Sequence, residues 1–254
     1  MNNHFILTPY FLDEPVSGLL SIAKSDWELN EPTLTGEDKQ QRMTLIHQPL
    51  ATAVSNTIQS GKRPVSIAGD CCTTIGVVAG LQQTGINPTL IWFDAHGDFN
   101  TWETTPSKFL GGMPLAMLVG KGEMTMMNGV QANPLPENQV ILTDGRDLDP
   151  GEKVLVDESN VLHVTDPVKL LEMPLPDGPL YIHFDADILD PADAPAMNYP
   201  APGGPSPKVM QQVFEHLAKS GQVAAISVSA WNPEMEGNGR SQTLILDLLK
   251  TLYQ

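Results

Sequence analysis

Two apolar runs in this chain end on acid. Residues 89–93 (TLIWF) lead straight into Asp94-Ala-His-Gly-Asp98, and residues 180–184 (LYIHF) lead into Asp185-Ala-Asp187. A short unbroken apolar run bounded by turn-forming residues marks a strand buried on both faces, and such strands belong to parallel sheets covered by helices. Residues 64–68 (PVSIA), 140–143 (VILT) and 223–228 (VAAISV) have the same character. Amphipathic stretches separate them. Residues 73–81 read as a helix behind the first run, and residues 242–252, with leucines at helical spacing, as a closing helix. Segments 100–112 and 190–207, rich in Gly, Pro, Thr and Ser, read as long loops. The pattern predicts an α/β fold with a mostly parallel sheet flanked by helices. No linker long enough to separate two units interrupts it, so residues 1–254 are expected to form a single domain.

Both acidic motifs follow strands, and in open α/β sheets ligands bind outside the carboxyl ends of the strands. Alternate side chains of an extended segment share a face, so Asp94, His96 and Asp98 can converge, as can Asp185 and Asp187. Four carboxylates and an imidazole on one sheet edge repel strongly unless cations sit between them. Oxygen-rich ligation with nitrogen suits manganese-type ions, and bridging carboxylates suit a two-metal centre. A plainer reading makes these acids helix caps or solvated loop residues; the combination of D-x-H-x-D and D-x-D after buried strands favours metal.

Charge narrows the partners. The formal net charge of −16 opposes binding to nucleic acid or to an anionic membrane surface, leaving a small molecule as the expected partner. Cys71 and Cys72 are adjacent and suit no ordinary disulfide, which fits a reducing compartment. Residues 1–12 lack the basic-then-apolar form of a signal peptide, and no apolar run reaches spanning length, so a cytoplasmic location is expected.

IWFDAHGDFNT resembles the metal-binding signature of arginases and agmatinases, and FDADILDPADAPA resembles their second signature. SIAGDCCTTIG is similar to the G-G-D-H-S segment of that superfamily, GGMPLAML to the helix start after its substrate loop, and GRDLDPGE to a further segment. These matches span about residues 65 to 245 in family order. The resemblance implies a three-layer α/β/α sandwich of the arginase/deacetylase type and two divalent ions, Mn2+ by family habit. It assigns Asp98 to the first ion together with Cys71, which stands where the family has histidine. His96 and Asp187 go to the second ion, and Asp94 and Asp185 bridge. Asp94, His96, Asp98 and Asp185 would then surround the attacking hydroxide. By the same resemblance Asn100 and Ser107 lie near a substrate carboxylate, Asp149 and Glu152 near an α-amino group, and Thr105 at another polar position. Asp190 would orient its loop, a turn role being the plainer reading. Family members form homo-oligomers, an expectation that the shorter chain leaves open.

Departures from the family pattern bear on the substrate. A thiolate at Cys71 tilts preference toward Zn2+ or Fe2+; the alternative is a small buried residue in a degenerate site. Gly111 stands where the family carries a proton-shuttling histidine, Ala230 where a guanidinium-binding glutamate stands, and Tyr199 where a small threonine is usual. Removing the partner of a buried cation is costly, so a strongly basic guanidinium is poorly served. The expected activity is metal-dependent hydrolysis of a C–N bond in a guanidino, hydroxyguanidino or amidino group on an amino-acid-like substrate, with a weakly basic head preferred. The alternatives are a formiminoglutamate-type hydrolase and a non-catalytic relative that binds metal or an amino acid. Among the remaining residues, Met113, Met117, Met124, Met126 and Met127 read as core filler. Trp92 is expected beneath the site, Trp102 as a lid or a plain loop residue, His183 as a core histidine and Cys72 as core.

Overall fold

The computed structural model describes residues 2–235, 237 and 239–253. Its strands are β1 (Asn3–Thr8), β2 (Tyr10–Phe11), β3 (Glu14–Pro15), β4 (Glu28–Leu29), β5 (Arg63–Ala68), β6 (Thr89–His96), β7 (Val140–Asp147), β8 (Leu162–Val164), β9 (Leu180–Asp185) and β10 (Val223–Ser229). The helices are α1 (Ser17–Leu20), α2 (Lys39–Gln59), α3 (Thr74–Gln83), α4 (Pro114–Leu118), α5 (Thr125–Gly129), α6 (Pro150–Asp157), α7 (Pro207–Lys219) and α8 (Arg240–Tyr253).

Eight strands form one sheet in the order β4-β1-β5-β10-β9-β6-β7-β8, and β2 and β3 make a small hairpin apart from it. Every pairing in the large sheet is parallel. Alternation along β6 explains the layers. Leu90 and Trp92 enter one core with α2, α3, α4 and α5, while Ile91 and Phe93 enter the other with α7 and α8. A strand that feeds two cores must be apolar on both faces, as TLIWF is. The result is the expected α/β/α sandwich. Met113, Met117, Met126 and Met127 are fully buried in the first core and Met124 packs against it, in keeping with their reading as filler.

β5 and β6 are consecutive along this side of the chain, yet two places in the sheet, later filled by β9 and β10, separate them. That gap is a topological switch point, where the carboxyl ends of central strands open a crevice. The strand ends differ from the reading of the sequence. β6 continues through Asp94 to His96 and β7 through to Asp147, so the first motif begins inside a strand. The pairing of β6 with β7 shifts between Asp94 and His96, an irregularity that re-aims side chains at the strand end.

The longest helix, α2, carries no clear sequence signal because Pro49 lies inside it. Its start is fixed by Asp38, whose carboxylate accepts the Gln41 N–H at 2.8 Å. α2 and α3 approach closely through glycine: a Cβ on Gly80 would stand 2.5 Å from the Ala51 carbonyl oxygen and 2.6 Å from Val54 Cβ. No helix among the described residues is long and apolar enough to cross a membrane.

Candidate metal and substrate site

The carboxyl ends of β5, β6, β9 and β10 open into a cavity of about 180 Å³. Asp94, His96 and Asp187 meet there, with ligand atoms all within 4.8 Å of one another. His96 Nδ1 lies 3.1 Å from Asp187 Oδ2 and 3.4 Å from Asp94 Oδ1. Each carboxylate is aimed by donors behind it. Asp94 Oδ1 accepts the His96 backbone N–H at 2.7 Å, and its Oδ2 accepts the indole N–H of Trp92 at 2.9 Å. Trp92 therefore lies beneath the site as the sequence suggested, and it also holds one of its carboxylates. Asp187 Oδ1 takes the Ala95 N–H at 3.4 Å. Asp185 Oδ1 takes the Asp187 N–H at 3.1 Å, as the cap of a short 3-10 turn over Ala186–Ile188.

Asp98, Cys71 and Asp185 line the same cavity. Asp98 arrives through a left-handed backbone, φ 49°, a region that aspartate tolerates better than most residues. Its carbonyl accepts the Leu115 and Ala116 N–H groups at 2.9 and 3.2 Å, fixing the turn on the first residues of α4. Its Oδ2 is buried with no hydrogen-bond partner. Cys71 opens a 3-10 turn capped by Asp70, whose two oxygens accept the N–H groups of Cys72 and Leu12 at 2.8 Å each. The Cys71 thiol points at the Gly111 carbonyl at 3.7 Å. Cys72 is fully buried in the core, as expected.

The electrostatics show what this cluster lacks. Burial, then the charge of Asp94, pushes Asp98 well above the usual carboxylate range. Burial, then Asp187, Asp94 and Asp98, does the same to Asp185. Asp187 is pushed up to about 6 by burial and Asp94. Burial resists charge on His96, but hydrogen bonds to Asp187 and Asp94 overcome it and push the imidazole up to about 12. Burial likewise resists charge on Asp94, and the hydrogen bonds and charge of His96 outweigh it to leave that carboxyl lowered. Burial, then Asp98 and Asp185, raises the Cys71 thiol. Protein charge alone holds this cluster together only by retaining protons. Divalent cations would replace those protons, and the unpartnered Asp98 Oδ2 is a ready ligand atom. The donor set fits a pair of such ions.

A second polar chain, missed in the sequence, reaches Asp185 from below. Parallel register sets Ser227 beside His183 and Ser229 beside Asp185. The Ser229 hydroxyl donates to Asp185 Oδ2 at 3.2 Å. Burial holds His183 down to about 3, so the ring is neutral. His183 Nε2 lies 3.5 Å from Ser229 Oγ, its Nδ1 lies 2.8 Å from Ser227 Oγ, and that oxygen lies 2.7 Å from the Tyr181 hydroxyl. The neutral tautomer with hydrogen on Nε2 satisfies every link, and the donors then run one way, from Tyr181 to Asp185. His183 is thus the satisfied core histidine expected, and it also buttresses a candidate ligand. The available signal was the period-2 spacing of Ser227 and Ser229, whose meaning depends on strand order.

The proposed substrate loop is knitted together. Asn100 Nδ2 donates to Asp149 Oδ2 at 3.0 Å, Thr104 Oγ1 donates to Asn100 Oδ1 at 3.0 Å, and the Thr105 and Ser107 hydroxyls lie 3.3 Å apart. Asn100, Thr105, Ser107, Asp149 and Glu152 all line the cavity. Glu152 is committed elsewhere: its Oε1 accepts the Phe99 N–H at 2.7 Å and its Oε2 accepts the Asp149 N–H at 3.1 Å. It fastens the loop after β6 to α6, and burial pushes its carboxyl up to about 7. Asp190 fills the turn role, accepting the Ala192 and Gly203 N–H groups at 2.8 and 2.7 Å. Trp102 is drawn away from a lid position, since its indole N–H donates to Glu123 Oε2 at 2.9 Å and its ring packs on the first core. Phe11 and Phe109, which carried no signal in the sequence, join Tyr199 on the cavity wall.

Comparison with known proteins agrees with this fold. A family model, described as the arginase family, matches residues 30–253. The arginase of Bacillus subtilis (strain 168) is 31% identical over 244 residues, covering 89% of this chain and 82% of that protein. The arginase of Bacillus caldovelox is 31% identical over 222 residues, covering 82% of this chain and 74% of that protein. The crystal structure of arginase from Bacillus cereus superposes with a TM-score of 0.84 at 24% identity, covering 100% of this chain and 98% of that one, a likeness of fold.

Proposed function

From the premise that the chain belongs to the arginase family, we propose that it cleaves a C–N bond in a guanidino, hydroxyguanidino or amidino group on an amino-acid-like substrate, using two divalent ions. The observation that carries this is the convergence of Asp94, His96 and Asp187 in a cavity also lined by Cys71, Asp98 and Asp185. Cys71 and Asp98 would hold one ion, His96 and Asp187 the other, with Asp94 and Asp185 between them. Mn2+ is the family expectation, and a Cys71 thiolate extends the choice to Zn2+ or Fe2+. When bound, such ions supply a water of lowered pKa and offset charge that develops on the head group.

The rest is the work of this chain's own side chains. Trp92 and Ser229 fix one oxygen each of Asp94 and Asp185, and the His96 and Asp187 backbone N–H groups hold the other. Asn100, Thr105, Ser107 and Asp149 offer donors and acceptors for an amino-acid tail, and Glu152 keeps that loop in place. Net addition of water across the C–N bond releases an amine and leaves a urea, hydroxyurea or amide, with no change in oxidation state. Ala230 lines the cavity without a carboxylate to match a guanidinium charge. A hydroxyguanidine, being a weaker base, needs no such partner.

The test is elemental analysis of protein from metal-supplemented culture, beside Cys71→Ala, followed by turnover of hydroxyarginine, arginine and formiminoglutamate. About two ions per chain, fewer in the variant, and faster hydrolysis of hydroxyarginine than of arginine are expected. Faster arginine hydrolysis would sink the argument from Ala230. Absent metal with no hydrolysis would favour the non-catalytic reading.

A further inference from the structure

We propose that Phe109, backed by Phe11 and Tyr199, forms an apolar wall that receives an N-alkyl group on the substrate's guanidine or amidine head. This rests on the function proposed above and adds N-alkylated heads to its substrate class.

The three rings come from distant segments and close on one another. Phe109 lies 5.1 Å from Tyr199 and 6.2 Å from Phe11, and Phe11 lies 6.3 Å from Tyr199, between ring centroids. Sandwiching a planar group between two rings needs about 7 Å, two carbon contacts of about 3.5 Å. No pair is that far apart, so a ligand lies against this surface rather than between its rings. The wall is also wet. Tyr199 is 46% exposed and the other two are half-buried, so all three keep apolar surface that a ligand's alkyl group can cover.

Position ties the wall to the head group rather than the tail. A Cβ built on Gly111 would run into the Phe109 ring, meeting its Cζ at 2.5 Å. The ring thus occupies the space that a side chain at 111 would need. The carbonyl of the same glycine faces the Cys71 thiol, so the wall begins one residue from a candidate metal ligand. The cavity floor is acidic, with Asp94, Asp98, Asp185 and Asp187, but other groups that could hold a head group by charge are absent or engaged. Ala230 brings no carboxylate, Asp149 is paired with Asn100, and Glu152 is spent on backbone. An N-alkylated head, larger and less hydrated than a plain one, suits such a surface because its methyls cover exposed ring area.

Each methyl buried on the wall should tighten binding about fourfold, and two about fifteenfold. The experiment is titration calorimetry of the full chain, Mn2+-supplemented and chelated, with Nω,Nω-dimethylarginine and arginine as probes. Wild type should bind the dimethylated probe about fifteenfold more tightly. Phe109→Ala should bring the ratio close to one, while Phe109→Tyr and Tyr199→Phe should preserve it. Transfer of ring-proton saturation to the probe's methyl signals checks the contact directly, and circular dichroism confirms that each variant is folded. Equal or tighter binding of arginine by wild type, or no binding of either probe, would overturn the wall. If the preference holds while no guanidine or amidine is hydrolysed, the proposed hydrolysis falls and the wall stands. Hydrolysis without the preference has the opposite meaning.

Discussion

Replacing Gly111 with alanine should destabilise the fold, and the whole of that cost should vanish once Phe109 is also replaced. Gly111 does not have a positive φ, so its backbone accepts alanine without strain. The cost is steric. The new Cβ would meet Phe109 Cζ at 2.5 Å, against about 3.5 Å for an ordinary carbon contact, so the ring must retreat by roughly 1 Å. It cannot retreat freely, because it stacks on Phe11 at 6.2 Å and packs against Tyr199 at 5.1 Å. Loosening the two aromatic pairs costs about 0.5–1.5 kcal/mol each, in line with about 1–3 kcal/mol for overpacking in general. Phe109→Ala alone removes a half-buried ring and should cost about 1–2 kcal/mol, less than the 3–5 typical of a fully buried one.

In the Phe109→Ala background the added Cβ meets no ring. Alanine then only restricts the unfolded chain, a gain of about 0.4–1 kcal/mol. Urea unfolding of the four proteins, followed by tryptophan fluorescence and compared at constant m value, gives the cycle. The coupling between the two positions should be about 2 kcal/mol or more. Additivity within about 0.5 kcal/mol would refute the claim that Phe109 occupies the space of a side chain at 111.

Three further outcomes follow from other parts of the molecule. Ser229→Ala removes the hydroxyl that holds Asp185 Oδ2; metal affinity, read by competition with a chelating dye, should fall about tenfold, and unchanged affinity would count against the buttress. Gly80→Ala drives a Cβ to 2.5 Å from the Ala51 carbonyl and 2.6 Å from Val54 Cβ; a loss of about 2–3 kcal/mol in urea unfolding is expected, and less than about 0.5 kcal/mol would mean that α2 and α3 can separate at no cost. Burial holds His47 down to about 3. Above about pH 6.5 the ring is neutral whether folded or not and contributes nothing, whereas between 6.5 and 3 only the unfolded chain takes up its proton and stability is lost. The stability advantage of His47→Leu should therefore grow by about 1.4 kcal/mol per pH unit on going from pH 6 to pH 4, and a gap that does not change with pH would contradict the burial.

Much of the fold was legible because its central strands are buried on both faces and so read as apolar runs. The strand ends were less legible. Asp94 and His96 look like loop residues, yet they stay in β6 because Trp92, the His96 backbone and Asp187 satisfy them there. α2 was hidden by Pro49, a residue that argues locally for a break and is overruled by packing against α3. The acidic motifs announced the candidate metal half of the site, since few arrangements tolerate so many buried carboxylates. The aromatic half did not announce itself: positions 11, 109 and 199 meet only after the β2–β3 hairpin and two long loops have been placed. The one-way chain from Tyr181 to Asp185 was equally hidden, because it depends on β9 pairing with β10 in one particular register.

The departures at Gly111, Ala230 and Tyr199 look at first like the decay of a catalytic site, but their physical content argues for a changed one. Decay would relieve unfavourable interactions, and the burial of Asp94, Asp98, Asp185 and Asp187 beside one another is one of them. All four remain, and three of them are still aimed by dedicated donors. By the resemblance drawn from the sequence, what differs is charge and proton-carrying capacity at positions 111 and 230, which line one cavity. The space is not left open, since Phe109 covers Gly111 and Tyr199 packs against Phe109. On the function proposed above, exchanging a polar head-group contact for well-packed aromatic surface, while keeping the candidate ligands, changes what the site binds and not its C–N chemistry. On that proposal, substrate choice and reaction chemistry belong to separate groups of residues. Phe109 variants should move dissociation constants between alkylated and plain guanidines with little effect on metal content, and Ser229 or Cys71 variants should do the reverse.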